Sequence, residues 1–316
     1  MKAVRVHARG GPEQLVVEEA PEPLPGDRDA LVRVFACAIT PTELSWSASY
    51  TARDGSSRLP AIPGHELSGR VVATGADAPD VRVGDKVYAL TDFWRDGAAA
   101  EFTVVVAADL APKPQSLDDV QAAAVPLSGL TAWQALFDHA GLAPGQRILI
   151  HGAAGGVGSF AVQLARWRGA YVIGTARAAN HDLVRRLGAD EVIDYTAVRF
   201  EDRVRDLDAV LDTIGGETRE RSLGVLRGGG VLVTVAGNAP AENGEKYGVR
   251  TVFFIVTPNR AQLIEIGKLI DEGQITPVIE DVVPLEDARA AFVRGSRGHN
   301  TGKLVLRVAR ETAAGD

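Results

Sequence analysis

His151-Gly152-Ala153-Ala154-Gly155-Gly156-Val157-Gly158 is the stretch on which the fold turns. It follows the apolar burst Arg147-Ile148-Leu149-Ile150 and opens a segment with helical spacing at Phe160, Val162, Leu164, Ala165 and Trp167. A strand that stops at a glycine turn and feeds a helix leaves backbone N–H groups at the helix N-terminus, where they can hold a pyrophosphate. The pattern is A-x-G-x-x-G, with Ala153 where glycine is commoner. Glycine turns also exist merely to let strand and helix pack closely. The surrounding sequence has to decide between the two.

It does so by alternation. A second strand, Tyr171-Val172-Ile173-Gly174-Thr175-Ala176, precedes a helix-like stretch at 180–187, then strands at 191–194, 209–212, 230–235 and 250–256. Strands alternating with helices predict a parallel sheet covered on both faces, with ligand at the carboxyl ends of the strands. This is the pattern of a dinucleotide-binding domain. An NAD site normally puts Asp or Glu at the end of the second strand to bind the ribose hydroxyls. Here the stretch reads Thr175-Ala176-Arg177-Ala178-Ala179-Asn180, and no carboxylate comes before Asp182. The planar charged fork of Arg177 suits a phosphate, so NADPH is the expected cofactor. A solvated surface arginine is the plainer reading of the same residue.

Composition narrows the class. A chain of 316 residues, 46% hydrophobic and 24% charged, can bury a large core and has room for about two domains. A net charge of -7 argues against nucleic acid or an anionic membrane surface as partner. The first residues alternate in polarity as a strand does, and no run of about 18 apolar residues occurs, so a cytoplasmic protein is expected. Cys37 is the only cysteine, which excludes an intrachain disulfide and a cysteine-based structural metal site.

The first third has another rhythm. Short β-like runs at 3–7, 15–18, 30–38, 68–74, 86–90 and 101–106 are broken by Pro21-Glu22-Pro23-Leu24-Pro25-Gly26, by 60–64 and by Val83-Gly84-Asp85. Many short strands with turns between them describe a small, mostly antiparallel barrel. Near the end, a helix-like 262–272 leads to a strand at 277–283, a helix-like 285–294 and a closing strand at 303–308, a tail that returns to the first domain. The expected division is 1–122 with 274–316, and 123–273.

Gly64-His65-Glu66-Leu67-Ser68-Gly69, Val83-Gly84-Asp85-Lys86-Val87, Gly129-Leu130-Thr131-Ala132-Trp133, Ala153 to Gly158, Leu187-Gly188-Ala189-Asp190 and Gly302-Lys303-Leu304-Val305-Leu306 occur in one order. That ordered set resembles the medium-chain dehydrogenases/reductases, and within them the zinc-free quinone oxidoreductases and alkenal or enone reductases. The resemblance spans essentially the whole chain. It implies an α/β architecture, a GroES-like β-barrel catalytic domain plus a doubly wound Rossmann domain, an active site in the cleft between them, and NADPH as hydride donor.

Zinc members of the superfamily share the Gly-His-Glu signature, and a catalytic zinc needs about three protein ligands. His65 stands at the histidine position, but Thr40 stands at the first cysteine position and Leu127, beside Ser128, at the second. No metal site is expected. Without a Lewis acid the chemistry suits an acceptor that spreads incoming charge over a conjugated system, a quinone or the C=C bond of an enone or enal.

The expected cofactor contacts are the backbone of Ala154, Gly155, Gly156 and Val157 for the pyrophosphate and Arg177 for the 2′-phosphate. By resemblance, Tyr195 stands against the adenosine end, and Thr131, Phe254 and Ile255 stand near nicotinamide; each also has an ordinary packing reading. Thr40 replaces an asparagine common in the branch and is a candidate catalytic donor. Trp46 and Tyr50 lie on a segment expected to overhang the substrate, as a lid, with Tyr50 also a candidate proton donor. His65 and Glu66 are read as a retained hydrogen-bonded pair. The apolar sixth strand implies a homodimer by edge pairing. A non-catalytic NADPH-binding protein of the same fold is the alternative function.

Overall fold

The first strand of the nucleotide-binding half, Arg147–Ile150, is buried along Ile148, Leu149 and Ile150 and sits in the middle of a six-stranded parallel sheet. In a computed structural model describing residues 1–237 and 244–309, the order across this sheet is Glu191–Asp194, Tyr171–Ala176, Arg147–Ile150, Leu207–Asp212, Leu226–Thr234, Arg250–Phe253. Sequence order runs outward from the centre to both edges, which is the doubly wound topology, and it puts the glycine turn at the switch point where ligands bind. The sheet's central strands are apolar on both faces because helices cover both.

The sixth strand is shorter than the 250–256 expected. It ends at Phe253, pairing through Val252 and Phe253 with Val233 and Thr234. Phe254 then leaves the sheet plane to lay its ring against His139, centroids 4.3 Å apart. His139 closes a π-helical turn, Gln134–His139, that continues the helix Pro126–Trp133. A wider i to i+5 turn inside a helical pattern leaves no mark in apolar spacing, so the sequence reading did not contain it.

The other half is built on one long strand, Asp29–Ile39, which pairs with Glu66–Thr74 over nearly its whole length, with Phe102–Val106 along its first part and with Lys303–Arg307 along its last. Its full sheet has seven strands, Ile279–Pro284 and Ala111–Pro112 lying at the two ends, and Lys2–Val6 pairs with Leu15–Glu19 beside it. The short strands thus form one mostly antiparallel sheet, and the tail returns to it as expected. Its core includes Val4, Val34, Ile39, Leu67, Val71, Val87, Phe292 and Leu306.

The chain divides into one unit of Met1–Leu127, Thr257–Glu272 and the residues from Pro277 on, and a second of Ser128–Val256 with Gly273–Thr276. The return differs from the expected junction at 273/274, because the helix Arg260–Asp271 attaches to the barrel unit. Tyr88 donates its hydroxyl proton to the Leu263 carbonyl, Arg260 Nε donates to the Leu110 carbonyl at 2.7 Å, and Asp271 accepts from the Ser116 amide at 2.9 Å. Only Gly273–Thr276 goes back to the sheet unit, where Gln163 clamps Thr276, accepting from its amide at 2.8 Å and donating to its carbonyl at 3.0 Å. Among the described residues no helix is long and apolar enough to cross a membrane.

Candidate functional site

The glycine turn is shaped by what a side chain would strike. Gly152 has φ +66, and a Cβ on Gly158 would lie 2.1 Å from the Gly152 carbonyl oxygen, so the helix enters hard against the turn only because residue 158 has no side chain. Ala153, the departure from the commoner fingerprint, is accommodated across the sheet. A Cβ on Gly174 would come 2.8 Å from the Ala153 methyl, which fills the room that a side chain at 174 would take.

Helix Gly156–Trp167 starts at Gly155 without a side-chain cap. Gly155 N–H is already used in the turn, donating to the Gly152 carbonyl at 2.9 Å. The amides of Gly156, Val157 and Gly158 are therefore the ones at the positive end of the helix dipole. Of the four expected pyrophosphate contacts, Gly155 thus has its N–H engaged within the turn, Ala154 precedes it, and Gly156 and Val157 stand with Gly158 in the first turn of the helix.

His151, directly before the turn, braces it. Its Nδ1 is 3.1 Å from Thr175 Oγ1 and its Nε2 is 2.9 Å from Ser222 Oγ, while Thr213 Oγ1 donates to the His151 carbonyl at 2.8 Å. Burial pushes its pKa down to about 4, against a weaker opposing pull from Asp212. A neutral ring thus ties two strand ends to the helix Gly216–Ser222. The sequence reading missed this residue, since a histidine before a glycine turn gives no signal of its partners.

At the carboxyl ends of the second and third strands, Arg177 and Tyr195 come together, Arg177 Nε donating to the Tyr195 hydroxyl at 3.1 Å. Both are exposed, Tyr195 by 45%. The neighbouring carboxylate, Asp194, is committed to its own turn, accepting from the Thr196 amide and hydroxyl at 2.9 and 2.7 Å. The edge that would meet an adenosine ribose is therefore an arginine and a phenol.

Of the three residues expected near nicotinamide, Thr131 is the sixth residue of Pro126–Trp133 and is buried. Phe254 is buried on His139, whereas Ile255 is 67% exposed.

In the barrel unit the expected lid is folded inward. Tyr50 is only 5% exposed, and its hydroxyl proton is directed at backbone carbonyls, those of Leu44 and Gly10. A phenol so engaged and raised in pKa by burial is not an available acid. Trp46 is half-buried, its ring edge-on to Phe93 at 5.3 Å, and Phe93 in turn is edge-on to His65 at 5.2 Å. Thr40 precedes the turn Pro41–Ser45 and makes no side-chain cap there; its carbonyl accepts from Glu43 N–H at 2.9 Å.

His65 and Glu66 do not pair with each other. Successive strand residues point to opposite faces, so Glu66 meets Lys303 in a buried ion pair and accepts from the Leu127 amide at 2.9 Å. His65 instead faces Thr91, Nδ1 to Oγ1 at 3.1 Å, and Glu43, Nε2 to Oε2 at 3.9 Å. Burial lowers His65 to about 3 and raises Glu43 to about 8, although the Gly64 amide, donating to Glu43 at 3.0 Å, opposes the second shift.

A zinc ion does not fit this donor set. Cys37 is buried with its thiol pushed further up in pKa, Thr40 and Leu127 stand where cysteines would be needed, and among the described residues no three His, Cys, Asp or Glu side chains are placed to hold a metal. The nicotinamide dinucleotide does fit the other unit: a turn that excludes side chains, an uncapped helix N-terminus and an exposed guanidinium beside a phenol.

Residues 26–115 match the family model of the alcohol dehydrogenase GroES-like domain and residues 187–306 that of zinc-binding dehydrogenases. The chain is 34% identical to a probable mitochondrial zinc-binding oxidoreductase of Arthroderma benhamiae, covering 93% of each. It is 34% identical to the chloroplastic NADPH-dependent alkenal/one oxidoreductase of Arabidopsis thaliana, over 87% of this chain and 71% of that one. The solved quinone oxidoreductase of Coxiella burnetii superposes with a TM-score of 0.91 at 31% identity, covering 98% of this chain and 99% of that one. The chain belongs to the medium-chain dehydrogenase/reductase superfamily, in its branch of quinone oxidoreductases and alkenal/one reductases.

Proposed function

We propose that this oxidoreductase takes NADPH and reduces a quinone or the activated C=C bond of an α,β-unsaturated carbonyl, without zinc. One observation carries the cofactor choice: Arg177 and Tyr195 meet where a carboxylate would mark an NADH site. The Arabidopsis relative, named for NADPH and for alkenals and enones, supports the same reading.

Bound NADPH supplies the hydride. The amides of Gly156, Val157 and Gly158 orient its pyrophosphate, and the Gly152 and Gly158 backbone keeps the turn narrow enough for that approach. Arg177 supplies a fixed positive charge for a 2′-phosphate, with Tyr195 limiting where the guanidinium can swing. Conjugation in the acceptor spreads the incoming charge, so that hydrogen-bond donors suffice where an isolated ketone would call for a metal. Homodimer formation along the edge strand Arg250–Phe253, which leaves Phe253 and Ile255 exposed, and a cytoplasmic location complete the proposal.

The test is NADPH oxidation, followed by nicotinamide absorbance, with a quinone, a 2-alkenal and a cyclic enone in parallel. Turnover of at least one acceptor, with NADPH preferred over NADH, is expected. Tight NADPH binding with no acceptor reduced would leave the non-catalytic alternative, a reading that the engaged hydroxyl of Tyr50 favours.

A further inference from the structure

His151 sits between two hydroxyls, and the geometry around it leaves one arrangement of protons. Ser222 Oγ lies 2.6 Å from the Thr218 carbonyl oxygen, one helical turn back. A carbonyl only accepts, and two oxygens that close need a proton between them, so the Ser222 O–H donates to Thr218. With its one proton committed there, Ser222 Oγ is an acceptor toward His151 Nε2 at 2.9 Å, and Nε2 carries the ring proton. Burial keeps the ring neutral, which leaves Nδ1 bare to accept from Thr175 Oγ1 at 3.1 Å. Thr175 Oγ1 in turn accepts from the Gly152 amide at 3.4 Å. Every proton points the same way, from the Gly152 amide through Thr175, His151 and Ser222 to the Thr218 carbonyl.

The two ends of this chain of bonds lie on either side of the glycine turn. Thr175 meets the turn twice, its carbonyl accepting from the Ala153 amide at 3.0 Å and its hydroxyl from the Gly152 amide. It stands two residues before Arg177 on the strand Tyr171–Ala176, so one residue fixes the turn against the strand that leads to the arginine. At the other end, Ser222 closes the helix Gly216–Ser222. The approach to that helix is itself tied down, since Asp212 Oδ1 accepts from the Ile214 and Gly215 amides at 2.9 Å each, and Thr213 Oγ1, which a Cβ on Gly152 would meet at 2.5 Å, donates to the His151 carbonyl at 2.8 Å. His151, Thr175 and Ser222 are 1%, 2% and 0% exposed. Buried bonds in a common direction polarise one another, and no water competes for them.

We propose that Thr175, His151 and Ser222 form a one-way hydrogen-bond relay that positions the glycine turn for the pyrophosphate of the dinucleotide. The inference rests on the dinucleotide reading above and adds to it three buried positioning residues. Reversing the ring tautomer would set a bare Nε2 against Ser222 Oγ, and the serine could then satisfy the ring only by abandoning Thr218. The order of protons therefore links the turn to the helix, and a change at Ser222 is felt at Gly152. The charged groups around the ring, Asp212 and Glu201 on one side of the balance and Arg221 on the other, are outweighed by burial, and the Phe200 ring lies edge-on to it at 4.7 Å. The turn meets the part of the cofactor that NADPH and NADH share, so the relay serves both alike, whereas Arg177 tells them apart.

The test joins spectroscopy to binding. In protein labelled with ¹⁵N at histidine, His151 should show a protonated Nε2 and a bare Nδ1. Thr175→Val, which keeps the shape and removes the hydroxyl, should weaken NADPH and NADH alike by about 3- to 10-fold, the range of one neutral hydrogen bond. Thr175→Ser, which restores the hydroxyl, should bind both as wild type does. Ser222→Ala takes away the acceptor for Nε2–H, so the ring proton should move to Nδ1 and both affinities should fall, although Ser222 lies on the helix and not on the turn. Fluorescence titration, at a temperature where circular dichroism shows each variant folded, reads the affinities. A proton on Nδ1 in the wild type, a Thr175→Val variant that binds as tightly as wild type, a loss confined to NADPH, or no rescue by Thr175→Ser would each overturn the proposal. A wild type that binds both dinucleotides but reduces no acceptor would remove the reductase reading, and an equal loss of both in Thr175→Val would leave the relay standing.

Discussion

Arg177 donates its Nε–H to the Tyr195 hydroxyl across 3.1 Å, joining the ends of two adjacent parallel strands, Tyr171–Ala176 and Glu191–Asp194. The planar, permanently charged guanidinium that the phenol orients is suited to a phosphate. Arg177→Ala should weaken NADPH by about 10- to 100-fold, the range of one hydrogen bond to a charged group, and leave NADH nearly unchanged. Titration of both cofactors by fluorescence checks it. An equal loss for the two would show that Arg177 does not read the phosphate. Tyr195→Phe should produce a smaller loss of the same sign, and the double variant should lose less than the sum, because the two residues act through one contact.

The glycine turn makes a steric prediction. A methyl at 158 would be 2.1 Å from a backbone oxygen that cannot rotate away, so Gly158→Ala should push the helix off the turn. Overpacking of this kind is destabilising by about 1–3 kcal/mol. Both a lower thermal midpoint and a large loss of dinucleotide affinity are expected. Ala153→Gly, by contrast, should bind dinucleotide as wild type does, since it returns the turn to its commoner form and only opens space beside Gly174.

The contrast between these sites shows what the sequence could and could not disclose. Strand and helix alternation after Arg147 was legible because burial on both faces of a parallel sheet writes long apolar runs. The Arg177 position was legible because it follows a strand end directly, and Tyr195 followed from resemblance. Tyr50 was not legible: an aromatic in a polar loop reads as a lid, and only the three-dimensional path of residues 41–50 brings its hydroxyl to the Leu44 carbonyl. His65 and Glu66 read as a pair because they are adjacent, while strand geometry sends adjacent side chains to opposite faces. Their real partners, Glu43 and Thr91 for His65 and Lys303 for Glu66, are not neighbours in sequence.

Stability should depend on pH through His151. Its folded pKa, about 4, lies below the ordinary 6.5, so the unfolded chain takes up the proton first. The stabilisation is complete above pH 6.5 and is lost as pH falls toward 4, with a slope of about 1.4 kcal/mol per pH unit for one proton. His65, lowered to about 3, adds a slope of the same sign, and Glu43, raised to about 8, adds the opposite sign between pH 4.5 and 8. The informative quantity is therefore the difference between wild type and His151→Asn. The variant should be less stable at pH 7 yet show a profile flatter by one proton between pH 4 and 6.5, measured by urea unfolding at half-unit steps. Parallel profiles would mean that His151 is not held neutral.

The buried pair of Lys303 and Glu66 makes the sharpest claim about the barrel. Lys303 is 6% exposed and Glu66 fully buried; the lysine also donates to the Ile39 carbonyl at 3.2 Å, and the carboxylate accepts from the Leu127 amide. The ammonium thus ties the closing strand Lys303–Arg307 to two strands of the sheet at once. Removing one partner leaves the other charge in the interior, which is destabilising by about 3–5 kcal/mol, whereas neutralising both is far milder. Lys303→Met alone should therefore drop the urea midpoint steeply, and Lys303→Met with Glu66→Gln should recover most of it, the glutamine carbonyl still accepting from Leu127. If the double variant were no better than the single one, the lysine's contribution would be its hold on the Ile39 carbonyl and its packing, and the charge pair would be incidental to the fold.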